Sequence, residues 1–278
     1  MTPPRIFGIP ALDAPIVAVL RRGPTDWSHV GRWDVERGTY EAGSWLRGTL
    51  YFQRCDVSPD GRWLAAFVLK PGASWDVGAT YLSISRLPWV TALAAWQTCG
   101  TWTLGLRFER ERSVWGVDEP ATGDLATVRM RFGLTPNADV TFAVERRRGW
   151  TESAETPARD PRDPWESRRA AHITMEKRRP GDDDTVLRVR GRYAAFRQAM
   201  PGEPRVADYV VADRDGSHAL TDVQWADWDA TGRLVVATTD GRIQIREGDP
   251  ARPRVAFEAD LSALAPDPRE PPAEARRW

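Results

Sequence analysis

Three histidines bound the acid–base and nucleophilic chemistry open to this chain: His29, His172 and His218. His218 stands beside a hydroxyl and a carboxylate in Asp215-Gly216-Ser217-His218. Adjacent residues of an extended segment point to opposite faces, so Ser217 and His218 are poorly placed to share a proton as a Ser-His-Asp triad must. No Gly-x-Ser-x-Gly elbow accompanies them. The expectation is solvent-facing turn residues, not a catalytic site.

Carboxylates cluster at Asp182–Asp184 and at Asp213 and Asp215. A calcium loop needs several oxygen ligands in fixed register, and Val211, two positions before Asp213, breaks an EF-hand-like spacing. Hairpin turns explain both clusters. Cys55 and Cys99 have neither CxxC nor Cys/His spacing, and a single bridge between them stays open. With no P-loop and no GxGxxG, neither a cofactor nor a metal is expected.

Cations and aromatics interleave at Arg147, Arg148 and Trp150 and again at Trp165, Arg168 and Arg169. On a strand-binding surface, arginine meets phosphate and tryptophan stacks a base. Glu145, Glu152, Glu155, Asp160, Asp163 and Glu166 lie among them and would repel phosphate. Lys+Arg and Asp+Glu are each 39, so the formal net charge is zero and no global field gathers nucleic acid. Trp and Arg also dominate the hot spots of protein interfaces. A protein or peptide is therefore the expected partner, with Trp278 as a further anchor.

The elements that must hold these residues read as short strands. Arg5–Leu12, Ile16–Leu20, Val30–Glu36 and Tyr40–Leu46 make four strands within about 45 residues, the size of one propeller blade. Trp63–Leu69, WLAAFVL, is apolar on both faces and so must be covered above and below. Ala219–Glu247 holds a strand, a Thr231-Gly232 turn, a second doubly apolar strand, an Asp240-Gly241 turn and an alternating strand; Arg254–Phe257 reads as the outer strand beyond it. Val90–Trp96 fits strand or helix. Leu125–Phe132 and Val140–Val144 read as a strand pair. Asp56, Asp118 and Asp229 each open an Asp-then-Gly turn and recur at spacings of 62 and 111, near one and two periods of about 55 residues.

Two stretches break the pattern. Residues 146–169 carry prolines, charges and little to bury, which predicts an exposed insertion. Residues 265–278, APDPREPPAEARRW, predict a loosely attached tail, in which Trp278 is unusual for a disordered segment and suits docking on the body or on a partner.

Composition supports a sheet-rich protein. Fourteen tryptophans are many for 278 residues. Each buried one removes about 200 Å² from water, or about 5 kcal/mol of transfer free energy, and small sheets packed face to face can use them. The bias to Arg, Ala, Pro and Gly fits a GC-rich bacterial genome. The N-terminal MTPPRIFGIPALDAP lacks the basic start and apolar core of a signal peptide, and the apolar run at Trp63–Leu69 is too short to span a bilayer. A soluble, cytoplasmic protein without membrane insertion is expected.

Ser58-Pro59-Asp60-Gly61-Arg62, followed by an apolar strand, resembles the blade unit of the TolB-like and WD-repeat class of β-propellers. Trp228-Asp229-Ala230-Thr231-Gly232-Arg233 is a looser copy without the Ser-Pro. The Gly-His and Trp-Asp pair of true WD repeats is absent at its usual spacing, which favours the TolB-like side. The resemblance implies an all-β propeller over residues 1–264, of about five four-stranded blades, with four or six also compatible. It implies a non-catalytic scaffold or adaptor for a protein or peptide. The alternative it leaves is a propeller hydrolase, acting for example on a glycan through channel carboxylates, with Asp56, Asp118 and Asp229 as the residues to inspect.

Overall fold

The computed structural model describes residues 3–23, 26–72, 77–111, 117–124, 132–137, 142–154, 172–193 and 204–278. The chain is all-β, its strands collected in five antiparallel sheets among the described residues. It divides into two compact units: Met1–Val140 with Ser262–Trp278, and Thr141–Leu261.

The first unit opens with a four-stranded meander, β1 (Arg5–Pro10), β2 (Ile16–Arg22), β3 (Trp27–Asp34) and β4 (Thr39–Arg47), in that spatial order. The second sheet is built around β7 (Trp63–Leu69), which pairs with β5 (Thr49–Leu50), β6 (Asp56–Val57) and β8 (Thr80–Arg86). β9 (Ala92–Gln97) continues it, so the Val90–Trp96 ambiguity resolves as strand. After β10 (Leu106–Glu109), β11 (Thr122–Gly123) closes the edge on β9, and β10 pairs with β12 (Gly133–Pro136). β7 is buried along nearly its whole length on both faces, as its unbroken apolar run requires.

The second unit begins with a helical turn, α1 (Ala143–Arg146). The strand expected at Val140–Val144 is not formed among its described residues: Phe142 adopts φ 52° and leads into this turn. Most of its expected partner, Leu125–Phe132, lies outside the described residues. Next come β13 (Thr151–Glu152), β14 (His172–Arg179), β15 (Asp182–Tyr193), β16 (Pro204–Asp213) and β17 (Gly216–Ala219), paired in chain order. The Ala219–Glu247 segment forms the last sheet as read from sequence: β18 (Val223–Trp228), β19 (Leu234–Thr238) and β20 (Arg242–Glu247), with β21 (Arg254–Asp260) on the outside. Met175, Leu187, Val189, Tyr209, Val211, Trp228 and Val236 share one core.

One turn recurs in both units. Ser58 donates its hydroxyl to Asp60 Oδ1 and accepts the Arg62 N–H, and the Gly61 N–H closes on the Ser58 carbonyl at 2.9 Å. Thr238 does the same with Asp240, Arg242 and Gly241. At Asp229 the carboxylate and hydroxyl change places: Asp229 Oδ1 accepts from Thr231 Oγ1 and from the Arg233 N–H. All three turns need a left-handed residue before the arginine, and Gly61, Gly232 and Gly241 have φ of 70°, 79° and 97°. The Thr238 copy follows the Ser58 pattern more closely than the Asp229 copy recognised in the sequence.

Candidate functional site

Trp and Arg side chains come together in the first unit, where β7 begins and β8 ends. Trp63 and Arg86 are direct cross-strand partners, and the Arg86 guanidinium sits over the Trp63 ring at 5.5 Å. Trp63 is itself 2 % exposed, and its indole N–H has no acceptor among the described residues.

Residues 262–278 come to this seat in two stages. Arg21, buried in β2, donates to the carbonyls of Ser262 and Leu264 at 3.3 and 3.1 Å. The chain then crosses exposed positions 265–270 and forms a 3-10 turn at Ala273–Arg276. There Arg86 donates to the Glu274 carbonyl at 2.8 Å, the Ala275 side chain is fully buried, and Trp278 packs on Trp63 with ring centroids 5.4 Å apart. The second half of the tail is therefore not loose: an aromatic contact and a carbonyl–guanidinium bond hold it, and of the two places open to Trp278 it takes the body. Contacts of these kinds each stabilise by about 1 kcal/mol, a small sum beside the ~5–15 kcal/mol of a whole fold.

Of the other residues expected to bind a partner, Trp165, Arg168 and Arg169 lie outside the described residues. In the described part of the expected insertion, Arg146, Gly149, Thr151, Glu152 and Ala154 are exposed, but two of the expected partner-binding residues are not. Trp150 is 3 % exposed and belongs to the core of the second unit. Arg148 is also buried, folding back to donate to the Val144 carbonyl at 3.2 Å, as a basic residue does at a helix C-terminus. Arg147 is half-buried. The charged RRRGW string looks solvated in sequence, yet Phe142, Val144 and Trp150 make its inner side apolar.

A second polar cluster sits on one face of the first sheet. Arg21, His29 and Trp45 are cross-strand partners in one row. The His29 ring lies 4.7 Å from Trp45 and the Arg21 guanidinium 5.2 Å from the same indole. β4 bulges at Gly43 and Ser44, which turns the Ser44 carbonyl to His29 Nδ1 at 3.1 Å. A carbonyl only accepts, so Nδ1 carries the proton and Nε2 accepts from the Tyr40 hydroxyl at 3.0 Å. Tyr40 reaches His29 because Gly31 lies between: a Cβ there would come within 2.1 Å of the Tyr40 oxygen. Burial lowers the His29 pKa to about 4, the Ser44 bond opposing it and the Arg21 charge assisting. Burial also raises the Tyr40 pKa well above its ordinary value. Both are neutral near pH 7. His29 has no exposed surface, and the pair anchors the bulge.

The second unit holds an ion pair absent from the sequence reading. Lys177 on β14 meets Asp227 on β18 at 2.5 Å, with both side chains largely covered. Two residues along the same strand, Arg179 lies 5.5 Å over the Trp228 ring and donates to the Gly232 carbonyl. The Trp228 N–H returns to the Lys177 carbonyl at 3.2 Å. Together these join the unit's two sheets.

Two of the three candidate catalytic carboxylates, Asp56 and Asp229, are engaged by hydrogen bonds. Asp56 accepts the Phe108 N–H and Asp229 holds its own turn and Arg233. Asp118 is exposed, its carbonyl accepting from the Trp96 indole. Asp213 accepts the N–H groups of Asp215 and Gly216, and Asp182 those of Asp184 and the Thr185 hydroxyl, so both clusters are turns. Both cysteines are free, Cys55 buried and Cys99 exposed. Among the described residues, no group of three His, Cys, Asp or Glu is placed to hold a metal, and no helix is long and apolar enough to cross a membrane.

No family model and no curated protein matches the chain. Among solved structures, the chain is similar to an uncharacterized protein from Listeria monocytogenes EGD-e, with a TM-score of 0.30 and 8 % identity. The match covers 88 % of this chain and 63 % of that one, so this chain spans less than two thirds of its length.

Proposed function

We propose that the chain is a β-propeller of about five blades serving as a non-catalytic scaffold or adaptor for a protein or peptide. The blade reading is supported by four- and five-stranded sheets that run up and down in chain order, and by a turn that recurs with the same hydrogen bonds. The binding reading is carried by one observation: a segment of the chain is already seated, peptide-like, on Trp63 and Arg86. Aromatic and arginine side chains are the types that anchor such contacts. Engagement of Asp56 and Asp229 by the Phe108 N–H and by Arg233 counts against the hydrolase alternative at those two positions.

The test is purification of the tagged full chain from its host under native conditions, with quantification of co-purifying proteins. A chain carrying Arg86→Ala serves as the control. The expected result is at least one protein retained near stoichiometrically by the wild type and depleted from the variant. No stable partner, together with glycan hydrolysis by the purified chain, would overturn the reading.

A further inference from the structure

We propose that Ala265–Trp278 is an exchangeable strap, and that the seat on Trp63 and Arg86 binds peptides carrying a small residue three positions before a tryptophan. Ala275 and Trp278 are this chain's own copy of that pattern. The inference rests on the scaffold reading and names the chemistry of its partner.

The strap makes its own shape. Arg276 donates to the Pro271 carbonyl at 3.2 Å and pairs with Glu270 at 2.9 Å. The Ala275 N–H closes on the Pro272 carbonyl at 3.0 Å. Every one of these bonds is local, so a free peptide of the same sequence can form them. Pro266, Pro268, Pro271 and Pro272 restrict its unbound states further. It is a preorganised ligand.

The seat, in turn, belongs to the sheet. Trp63 and Arg86 are fixed by the β7–β8 ladder, whose register runs unbroken from Trp63–Arg86 to Leu69–Thr80. It does not depend on the strap to exist. The strap meets it through three features on one short turn: the Glu274 carbonyl, the buried Ala275 and the Trp278 ring. The intervening positions 265–270 are all exposed and act as a tether.

Such an arrangement favours the tethered copy by effective concentration, in the millimolar range for a short link. An outside segment then competes only weakly until the tethered tryptophan is withdrawn. The Trp63 indole N–H has no acceptor among the described residues, and a competitor that brought one to it would gain that bond.

The probe is a fluorescein-labelled Asp267–Trp278 peptide, titrated by anisotropy into full-length wild-type and Trp278→Ala chains. The peptide is expected to bind the variant saturably and at least about tenfold more tightly than the wild type. A peptide carrying Trp278→Ala is expected to lose about tenfold or more, as is the original peptide against a Trp278→Ala/Arg86→Ala chain. Circular dichroism confirms that each variant is folded. Absence of saturable binding to the folded Trp278→Ala chain overturns the proposal, as does equal affinity for the two peptides. Should peptide binding fail while a purified partner stays bound to both chains, the strap proposal falls and the scaffold reading stands. Should the peptide bind while the purified chain retains no cellular partner and hydrolyses glycan, the seat stands as a site for the strap and the scaffold reading falls.

Discussion

The Trp278 indole packs on Trp63 with ring centroids 5.4 Å apart, although 215 residues separate them in sequence. Arg86 unites the two by sitting over Trp63 and donating to the carbonyl of Glu274. The contact closes a segment that composition alone marks as loose.

Opening of that contact is expected to be local. Removing the indole with Trp278→Ala should speed trypsin cleavage after Arg269 and Arg276 several-fold, while leaving the thermal midpoint of the first unit nearly unchanged. Mass spectrometry of a digestion time course reads the first and calorimetry the second. Unchanged cleavage would show that the indole does not hold the strap.

His29 gives the protein a pH dependence with a defined sign. Its native pKa is about 4, below the ~6.5 of an unfolded histidine. Between these values the unfolded chain binds a proton that the native chain does not. Stability from this residue is therefore full above about pH 6.5, falls as pH drops toward 4, and levels off below, a loss of about 3 kcal/mol in all. Urea midpoints of wild type and His29→Gln measured from pH 7.5 to 4 should diverge over that window. Parallel curves would contradict it.

Lys177 and Asp227 form a covered pair, so removing one partner leaves a poorly solvated charge. Lys177→Met should cost about 3 kcal/mol. The double change Lys177→Met/Asp227→Leu should cost less than the sum of the two single ones. Additive single costs in a urea double-mutant cycle would show that the pair is not coupled.

Ser58 has no exposed surface and its hydroxyl accepts the buried Trp63 backbone N–H at 2.9 Å. Ser58→Ala should destabilise by about 1–3 kcal/mol by leaving that donor unmatched. Ser58→Thr, which keeps the hydroxyl as Thr238 does, should recover most of the loss. Equal effects of the two substitutions in thermal unfolding would exclude a hydrogen-bonding role.

The sheets and turns were readable in the sequence because their causes are local. Doubly apolar β7 and β19 announce burial on both faces, and a hydroxyl or carboxylate four residues before an arginine, with glycine between, announces the turn. Side-chain relations that depend on register, on a bulge or on distant strands were not readable. The His29–Tyr40 bond needs a bulge in β4 and a missing side chain at Gly31, and Lys177 meets a carboxylate 50 positions away. Charge and proline content misled at both ends of the functional reading. Arg148 and Trp150 are buried because of the apolar residues beside them, and the tail is held by Ala275 and Trp278, which matter only once Trp63 and Arg86 are in place.

The most direct measurement is competition. Proteins captured by the immobilised full chain are challenged with millimolar Asp267–Trp278 peptide or with its Trp278→Ala form. The peptide should release a retained protein that the alanine form leaves bound. Retention indifferent to both peptides would contradict a partner site on Trp63 and Arg86.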